Sequence, residues 1–153
     1  MEKEATETTV KSAANTMKAV RFHEFGGPEV LSYEEAPKPK PGLGEALVRI
    51  KAASINHIDL WVEKGIYYKP QLPHIPGSDA AGIVEEVKEG DPALIGRKVM
   101  AYPTLACFHC KFCIEGSHNL CSSYRTLGAQ VDGSYSEYVA VPVKNLIAIP
   151  ERL

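Results

Sequence analysis

The sequence predicts a mainly β protein, a β-rich barrel with short helices that is built as one domain. Several short stretches alternate apolar and polar side chains, which is the pattern of half-buried strands. Eleven prolines and twelve glycines are spread along the chain, as expected where many turns join short strands. The length of 153 residues fits a single domain with its own core.

The composition excludes two classes of partner. An apolar fraction of 44 % and a net charge of −2 are ordinary for a globular domain, and no basic face suggests nucleic acid. No apolar run approaches the roughly 18 residues that a membrane span needs. No signal peptide is recognisable, so we expect a cytoplasmic protein that contacts neither nucleic acid nor membrane.

The first sixteen residues differ from the remainder of the chain. They are polar, carry mixed charge and include no aromatic side chain. Such a segment cannot bury enough apolar surface to offset the entropy lost on ordering. We therefore predict a disordered leader over 1–16 and a folded domain over 17–153.

Strands are predicted along the whole domain, with turns at the glycines and prolines between them. The predicted strands are Lys18–Glu24, Val30–Glu34, Glu45–Ser54, Ile83–Val87, Gly96–Tyr102, Ser134–Val141 and Leu146–Ile149. Within the third, one face carries Ala46, Val48, Ile50 and Ala52 and the other carries Leu47, Arg49 and Lys51, which is the pattern of a half-buried strand. Pro37, Pro39 and Pro41 predict a stiff extended connection, because proline fixes φ and cannot donate to a ladder.

One short helix is predicted between Asn56, a suitable N-cap, and Gly65, a suitable C-terminal stop. The small residues of Gly77–Gly82 permit close approach of a backbone or a ligand. Gly42 and Gly44 superficially begin a dinucleotide fingerprint. They lack the preceding strand, the following helix and the third glycine, so they predict only a turn.

All four cysteines lie in one stretch with the spacing C-x2-C-x2-C-x7-C, at Cys107, Cys110, Cys113 and Cys121. Two-residue gaps let thiolates converge on one point, and Zn²⁺ takes four sulfurs in a closed tetrahedron. The pattern predicts a structural zinc site in a lobe at about 103–125. A pair of disulfides and a redox-active dithiol are the alternatives; His109, between two ligands, is expected to be a solvated loop residue.

Several separated motifs together resemble the GroES-like, N-terminal catalytic domain of the medium-chain dehydrogenase/reductase superfamily, which includes zinc alcohol dehydrogenases and quinone oxidoreductases. The motifs are Met17-Lys18-Ala19-Val20, Gly27-Pro28-Glu29-Val30-Leu31, Ala53-Ser54-Ile55-Asn56-His57-Ile58-Asp59-Leu60, Pro76-Gly77-Ser78-Asp79-Ala80-Ala81-Gly82, the four cysteines and Gly133-Ser134-Tyr135-Ser136-Glu137-Tyr138. The resemblance implies a partly open β-barrel with an inserted structural-zinc lobe.

The sequence departs from the catalytic-zinc members of that superfamily at four positions. In those members, the position matching Asn56 is a cysteine, that matching Ser78 is a histidine and that matching Asp79 is a glutamate. The position matching Trp61 is the proton-relay histidine. An amide and a hydroxyl are poor replacements for thiolate and imidazole on zinc. The resemblance therefore implies a structural zinc without a catalytic one, as in the zinc-independent quinone-oxidoreductase branch.

The resemblance also implies a cleft with assigned residues. Asn56, Asp59 and Tyr67 are the catalytic candidates, and His57 matches a position that contacts the cofactor pyrophosphate. The alternatives are a helix cap for Asn56, compensation of the helix dipole for Asp59 and a solvated surface position for His57. Trp61, Tyr67 and Tyr68 are candidates for an apolar substrate wall, whereas Ser78 and Asp79 are expected to stabilise a turn. His74 is expected at the loop surface, and a metal site built from His57, Asp59, His74 and Asp79 is a remote alternative.

The implied activity is hydride transfer between NAD(P)H and a small-molecule carbonyl, quinone or enone. The nicotinamide cofactor would bind to a Rossmann domain, in cis or in trans, because no strand, glycine-rich turn and helix for it is found in this sequence. A homo-oligomer is compatible with the resemblance, and the chain alone is expected to be inactive. Two alternatives stay open, a non-enzymatic zinc-stabilised subunit or interaction module and a cysteine redox sensor.

Overall fold

The computed structural model describes residues 15–152; the predicted leader therefore lies outside the described residues, except for its last two positions. The described part is mainly β, with open sheets that do not close into a barrel. The strands are β1 (Thr16–Phe22), β2 (Leu31–Pro37), β3 (Glu45–Ala52), β4 (Ala80–Lys88), β5 (Lys98–Ala101), β6 (Thr104–Leu105), β7 (Arg125–Thr126), β8 (Tyr138–Pro142) and β9 (Leu146–Ala148). The helices are α1 (His57–Glu63) and α2 (Lys111–Ile114).

Five strands form the main antiparallel sheet, in the order β8-β3-β4-β5-β9. Strands β1 and β2 form a separate hairpin, and β6 and β7 form a two-stranded ribbon at the base of the cysteine lobe. The mainly β prediction is thus confirmed, with short helices as expected.

The main core lies on the inner face of the five-stranded sheet. It contains alternate residues of β3, β4 and β8, as the period of a strand requires. Its buried members are Ala46, Val48, Ala80, Val84, Val99, Ala101, Leu127, Val139 and Val141. A second cluster around Phe22 and Val62 fixes α1 against β1.

Several predicted boundaries were wrong for identifiable reasons. Val30 belongs to a short 3-10 turn, so β2 begins at Leu31 and continues through Pro37, the first proline of the predicted connection. Strand β8 begins only at Tyr138, because residues 134–137 form side-chain and backbone bonds with other segments. In β3, Leu47 is also buried, since a register shift between Leu47 and Val48 interrupts strict alternation.

Candidate functional site

The four cysteine sulfurs converge in the lobe after β6. All four Sγ atoms lie within 4.8 Å of one another, and Cys107 Sγ is 3.8 Å from Cys113 Sγ and 3.6 Å from Cys121 Sγ. A zinc tetrahedron with bonds of about 2.3 Å has sulfur–sulfur edges of about 3.8 Å. The four residues therefore fit a closed tetrahedral ion, and all four thiols are free of disulfides.

The surroundings of Cys107 favour its thiolate, whereas those of Cys113 favour the neutral thiol. A backbone hydrogen bond from His109 lowers the pKa of Cys107 to about 6, and the N–H of Cys110 also donates to its sulfur at 3.3 Å. Burial raises the pKa of Cys113. A cation between the sulfurs would reverse that effect, because a coordinating thiol is deprotonated outright. His109 is exposed and its Nδ1 lies 2.8 Å from the Cys107 carbonyl, so it turns away from the centre as expected.

A polar cluster joins the start of α1 to the turn before β4. The Asn56 amide nitrogen lies 3.0 Å from Asp79 Oδ2, 3.3 Å from Ser78 Oγ and 3.4 Å from Ser54 Oγ. Ser54 Oγ also donates to Asp79 Oδ2 at 2.6 Å. We call Ser54, Asn56, Ser78 and Asp79 the polar latch, because they join the start of α1 to the turn before β4.

The polar latch holds a charged carboxylate but few metal ligands. The hydrogen bond from Ser54, followed by that from Asn56, lowers the pKa of Asp79. A carboxylate oxygen so close to the amide group requires that Asn56 presents its NH₂ and not its carbonyl. Among the described residues, the four cysteines are the group of three or more cysteine, histidine or acidic side chains that converges as a metal site would.

Asp59 is the centre of a second network beneath the polar latch. Its side chain is only 4 % exposed and accepts from the Asn56 N–H at 2.8 Å, the Gly77 N–H at 3.2 Å and the Tyr135 hydroxyl at 3.0 Å. The Asn56 contact belongs to a capping box, confirming the predicted N-cap. Burial and then the Asp59 charge raise the pKa of Tyr135, so this phenol stays a donor.

An exposed row of aromatic rings borders the polar latch. His57, Trp61 and Tyr67 follow one another, with ring centroids 6.0 Å and then 6.5 Å apart. Trp61 is 47 % and Tyr67 55 % exposed, and Tyr68 is also exposed. These rings are available to a ligand and are not core residues, which is consistent with the predicted substrate wall.

His74 was predicted at the loop surface, and that prediction was wrong. Its side chain is buried, with Nε2 3.0 Å from the Gly128 carbonyl and Nδ1 3.2 Å from Asp132. Burial opposes ionisation of Asp132, yet the bonds from His74 and the Ile75 N–H outweigh it and lower the pKa of Asp132. Both ring nitrogens of His74 are engaged by protein atoms, so His74 is not available to bind a metal. The alternative metal site of His57, Asp59, His74 and Asp79 is therefore also wrong, since these side chains do not converge among the described residues.

Sequence reasoning missed three residues of this site. Ser54 and Tyr135 stand in the quoted motifs but received no role, although both are hydrogen-bonded within it. Glu63, on the face of α1 that carries Asp59 one turn earlier, is 3 % exposed and its Oε1 has no hydrogen-bond partner among the described residues. The spacing of Asp59 and Glu63 by four residues was the available signal.

An apolar strip crosses the outer face of the main sheet beside the polar latch. Ala52 pairs with Ala81, Ala81 with Met100 and Met100 with Ile147, so the four side chains form one row over four strands. Met100 and Ile147 are each 46 % exposed. A continuous exposed apolar row of this kind marks a surface that another domain can cover.

Comparison with known proteins agrees with this arrangement. Residues 42–151 match the family described as alcohol dehydrogenase GroES-like domain. An alcohol dehydrogenase of Geobacillus stearothermophilus is 40 % identical over 141 residues, covering 90 % of this chain and 41 % of its own length. A quinone oxidoreductase of Rattus norvegicus is 35 % identical over 105 residues, covering 67 % of this chain and 32 % of its own length.

A crystal structure of an NAD-dependent alcohol dehydrogenase superimposes with a TM-score of 0.85 at 43 % identity, covering 90 % of this chain and 40 % of that one. The chain therefore belongs to the alcohol dehydrogenase GroES-like domain family. It corresponds to the catalytic-domain portion of a medium-chain dehydrogenase/reductase, and it spans about two fifths of the length of these relatives. Among residues 15–152, no helix has the length and apolar character needed to cross a bilayer.

Proposed function

We propose that this chain is the catalytic-domain portion of an NAD(P)-dependent oxidoreductase that carries one structural zinc and no catalytic zinc. The observation that carries this proposal is the contrast between two sites in one fold. Four sulfurs converge at tetrahedral spacing in the lobe, whereas the polar latch offers an amide, two hydroxyls and one carboxylate. Zinc favours the first donor set over the second.

The zinc held by Cys107, Cys110, Cys113 and Cys121 would have a structural role. Four thiolates leave no open coordination position, so the ion would stabilise the lobe without touching substrate. We place the protein in the cytoplasm, where thiols remain reduced and available to a metal.

In the cleft, the protein groups would bind and orient. The nicotinamide, held on a Rossmann domain, would supply a hydride to the carbonyl carbon of an aldehyde, ketone or quinone, or to the β-carbon of an enone. Tyr67 offers an exposed hydroxyl donor to a substrate oxygen, and His57 lies at the exposed start of α1, where a pyrophosphate could approach. Asn56 and Asp59 would act through position, since Asp59 is buried and anchors both Asn56 and Gly77.

The absence of a Lewis acid would favour particular substrates. A simple ketone gains from polarisation by a metal. A quinone or enone is already activated by conjugation and needs only hydrogen bonding at its oxygen. We therefore propose quinones and enones ahead of simple ketones as substrates for the whole protein.

The apolar strip of Ala52, Ala81, Met100 and Ile147 supports docking of a cofactor domain on this face. It lies across the sheet from β3 to β9 and borders the polar latch through Ala52 and Ala81, which also line a cavity with Ser54 and Asp79. A cofactor domain packed there would bring the nicotinamide to the cleft and cover the apolar side chains.

The test is metal analysis joined to a turnover assay on two proteins. We expect residues 1–153 alone to hold about one zinc per chain and to show no NADPH oxidation with an enone. Residues 1–153 combined with a nicotinamide-binding Rossmann domain, in cis or in trans, should hold the same zinc and oxidise NADPH. Two zincs per chain, or turnover by residues 1–153 alone, would contradict the proposal. A combined protein that binds nicotinamide but gives no turnover would favour the non-enzymatic module.

A further inference from the structure

Asp79 places a negative charge in the polar latch and leaves one carboxylate oxygen for a ligand. Its Oδ2 accepts from Ser54 Oγ at 2.6 Å and from the Asn56 amide nitrogen at 3.0 Å. The Ser54 bond, and then the Asn56 bond, lower the pKa of Asp79, so its carboxyl group is ionised at neutral pH. Both donors meet Oδ2, and within residues 15–152 no donor meets Oδ1. Because Asp79 is exposed, a ligand can reach Oδ1.

No cation of the described residues neutralises this charge. The ion pairs within residues 15–152 involve other carboxylates, and neither Asp79 nor the buried Asp59 takes part in one. Asp59 is held by two backbone N–H groups and the Tyr135 hydroxyl, which are uncharged donors. Burial, then the charge and hydrogen bond of Asp59, then the charge of Asp79, raise the pKa of Tyr135. The two carboxylates therefore act on one region, which is negative in the part of the chain that the structure describes.

A cavity of about 350 Å³ lies against this charge. Ser54 and Asp79 are its polar side chains. The remaining lining is apolar and mostly small, namely Ala52, Ala53, Ala80, Ala81, Met100 and Ala101. The volume falls in the range of roughly 300–1,000 Å³ that is typical of small-molecule sites. The cavity therefore combines apolar walls with one charged group.

The charge and the walls together define the chemistry of a fitting ligand. Asp79 would repel an anion, and a neutral molecule would gain a hydrogen bond at most. An ammonium group would donate to Oδ1 in a charge-assisted hydrogen bond and would gain Coulomb energy as well. An alkyl body attached to that ammonium would be removed from water along Ala81 and Met100. The cavity therefore fits an amphipathic cation better than a neutral molecule or an anion.

We propose that Asp79 makes the cleft selective for ligands that carry an ammonium group, so that the substrate of the whole protein is an amine-bearing quinone or enone. This inference rests on the proposed function, because a catalytic zinc in the cleft would cancel the charge of Asp79. A cofactor domain docked on the apolar strip would cover the cavity, and exclusion of water would strengthen the ion pair. Asp79 determines specificity by its charge and exchanges no proton with the substrate.

The first test measures binding to residues 1–153 and needs no turnover. The probes are pentylammonium, 1-pentanol and pentanoate, which share an alkyl chain and differ in charge. At low ionic strength, pentylammonium should shift the backbone amide resonances of Ala52, Asp79 and Ala81 with a Kd of about 1–10 mM. The alcohol should bind about threefold or more weakly, which is the preference expected of an exposed ion pair, and pentanoate should cause no shift. Added salt should reduce the preference for pentylammonium.

Three variants identify the carboxylate responsible. Asp79→Asn preserves the shape of the side chain and should give pentylammonium and 1-pentanol equal affinities. Asp79→Glu keeps the charge and should keep the preference. Asp91→Asn is the matched control, because it removes another exposed carboxylate that does not line the cavity, and it should leave the preference unchanged. Zinc content and Trp61 fluorescence show whether each variant is folded; if Asp79→Asn is not, the salt dependence and Asp79→Glu decide.

The second test measures turnover by residues 1–153 combined with a nicotinamide-binding Rossmann domain. The two substrates are enones that end either in a dimethylammonium group or in the isosteric isopropyl group. We expect kcat/KM to be about tenfold or more higher for the ammonium substrate, because the covered cavity has a lower effective dielectric constant than water. Asp79→Asn should remove this difference by raising the KM of the charged substrate.

The inference fails if the alcohol or the carboxylate binds as tightly as pentylammonium, or if Asp79→Asn keeps the ammonium preference. It also fails if Asp79→Asn in the combined protein weakens only the binding of oxidised nicotinamide, since the recognised cation would then belong to the cofactor. Failure of the proposed function gives a different result. Absence of turnover with both enones, together with an intact ammonium preference, would refute the oxidoreductase activity and support the ammonium site.

Discussion

Replacing Asp59 by asparagine tests whether one buried carboxylate holds the cleft together. The substitution preserves shape but removes the charge and one acceptor oxygen. The three donors facing Asp59 are the Asn56 N–H, the Gly77 N–H and the Tyr135 hydroxyl, at 2.8, 3.2 and 3.0 Å. In Asp59→Asn, the new NH₂ group must face at least one of these donors.

The expected loss of stability follows from these contacts. A hydrogen bond to a charged group contributes about 1.5–3 kcal/mol, and a buried donor left unpaired costs about 1–3 kcal/mol. Removing the charge also relieves its burial cost, so the net loss for Asp59→Asn is about 3 kcal/mol. Tyr135→Phe removes one of the three bonds and should cost about 1–2 kcal/mol.

The assay is urea unfolding, for the free energy, and thermal unfolding, for the Tm, both followed by the fluorescence of the single tryptophan, Trp61, which lies on α1 two residues after Asp59. A loss of about 3 kcal/mol should lower the Tm by about 6–12 °C in a domain of this size. The double variant with Tyr135→Phe should lose less than the sum of the two, because both remove the same bond.

Asp91→Asn is the matched control, since that exposed carboxylate accepts from the Ala93 N–H at 2.9 Å. It should cost no more than about 0.5 kcal/mol. The reasoning is refuted if Asp59→Asn costs under about 1 kcal/mol, or if its effect and that of Tyr135→Phe are additive.

Three further predictions concern a buried acid, the lobe and the cleft. Burial, and then the charge of Glu29, raise the pKa of Glu63. Its stabilising contribution is therefore complete below about pH 4 and is lost as the pH rises through the raised pKa. Glu63→Gln should raise the Tm at pH 8, and an equal or lower Tm at that pH would contradict the prediction. Chelation should remove about one zinc per chain and expose the lobe to protease, because thiolate binding to the metal contributes folding free energy. Cys113→Ser should have the same effects without a chelator. A lobe that resists protease without metal would argue for disulfides. The triple variant Asn56→Cys, Ser78→His and Asp79→Glu should raise the number of Co²⁺ ions bound per chain from about one to about two, and the second ion should show thiolate-to-cobalt absorbance. An unchanged number of ions per chain would show that these three side chains do not converge on one point.

The sequence was most informative for features that depend only on residues close together in the chain. The cysteine spacing predicts convergence of the sulfurs without knowledge of the fold, and the Asn56 cap depends only on the first turn of α1. Strand existence was also predictable from alternation, although the register shift that buries Leu47 was not, because it depends on β4.

The errors concern residues whose partners are distant in sequence. His74 lies between Pro73 and Pro76 in a proline-rich stretch, which is typical of an exposed loop. Its partners, the Gly128 carbonyl and Asp132, are 54 and 58 positions away, and only the fold brings them together. Burial of a histidine by such contacts cannot be read from its neighbours.

The geometry of the cleft does not depend on a metal at the polar latch. In a zinc-bound relative, ligands from the two segments would be held together by the ion. Here Asp59 joins the same segments by accepting from the Asn56 and Gly77 backbones, and Asp79 joins them again through the Asn56 amide. Because backbone donors supply the main connection, the side chains at Asn56, Ser78 and Asp79 can change without loss of the scaffold. The same reasoning makes Asp59, which touches no proposed ligand, the residue whose replacement should disturb the cleft most.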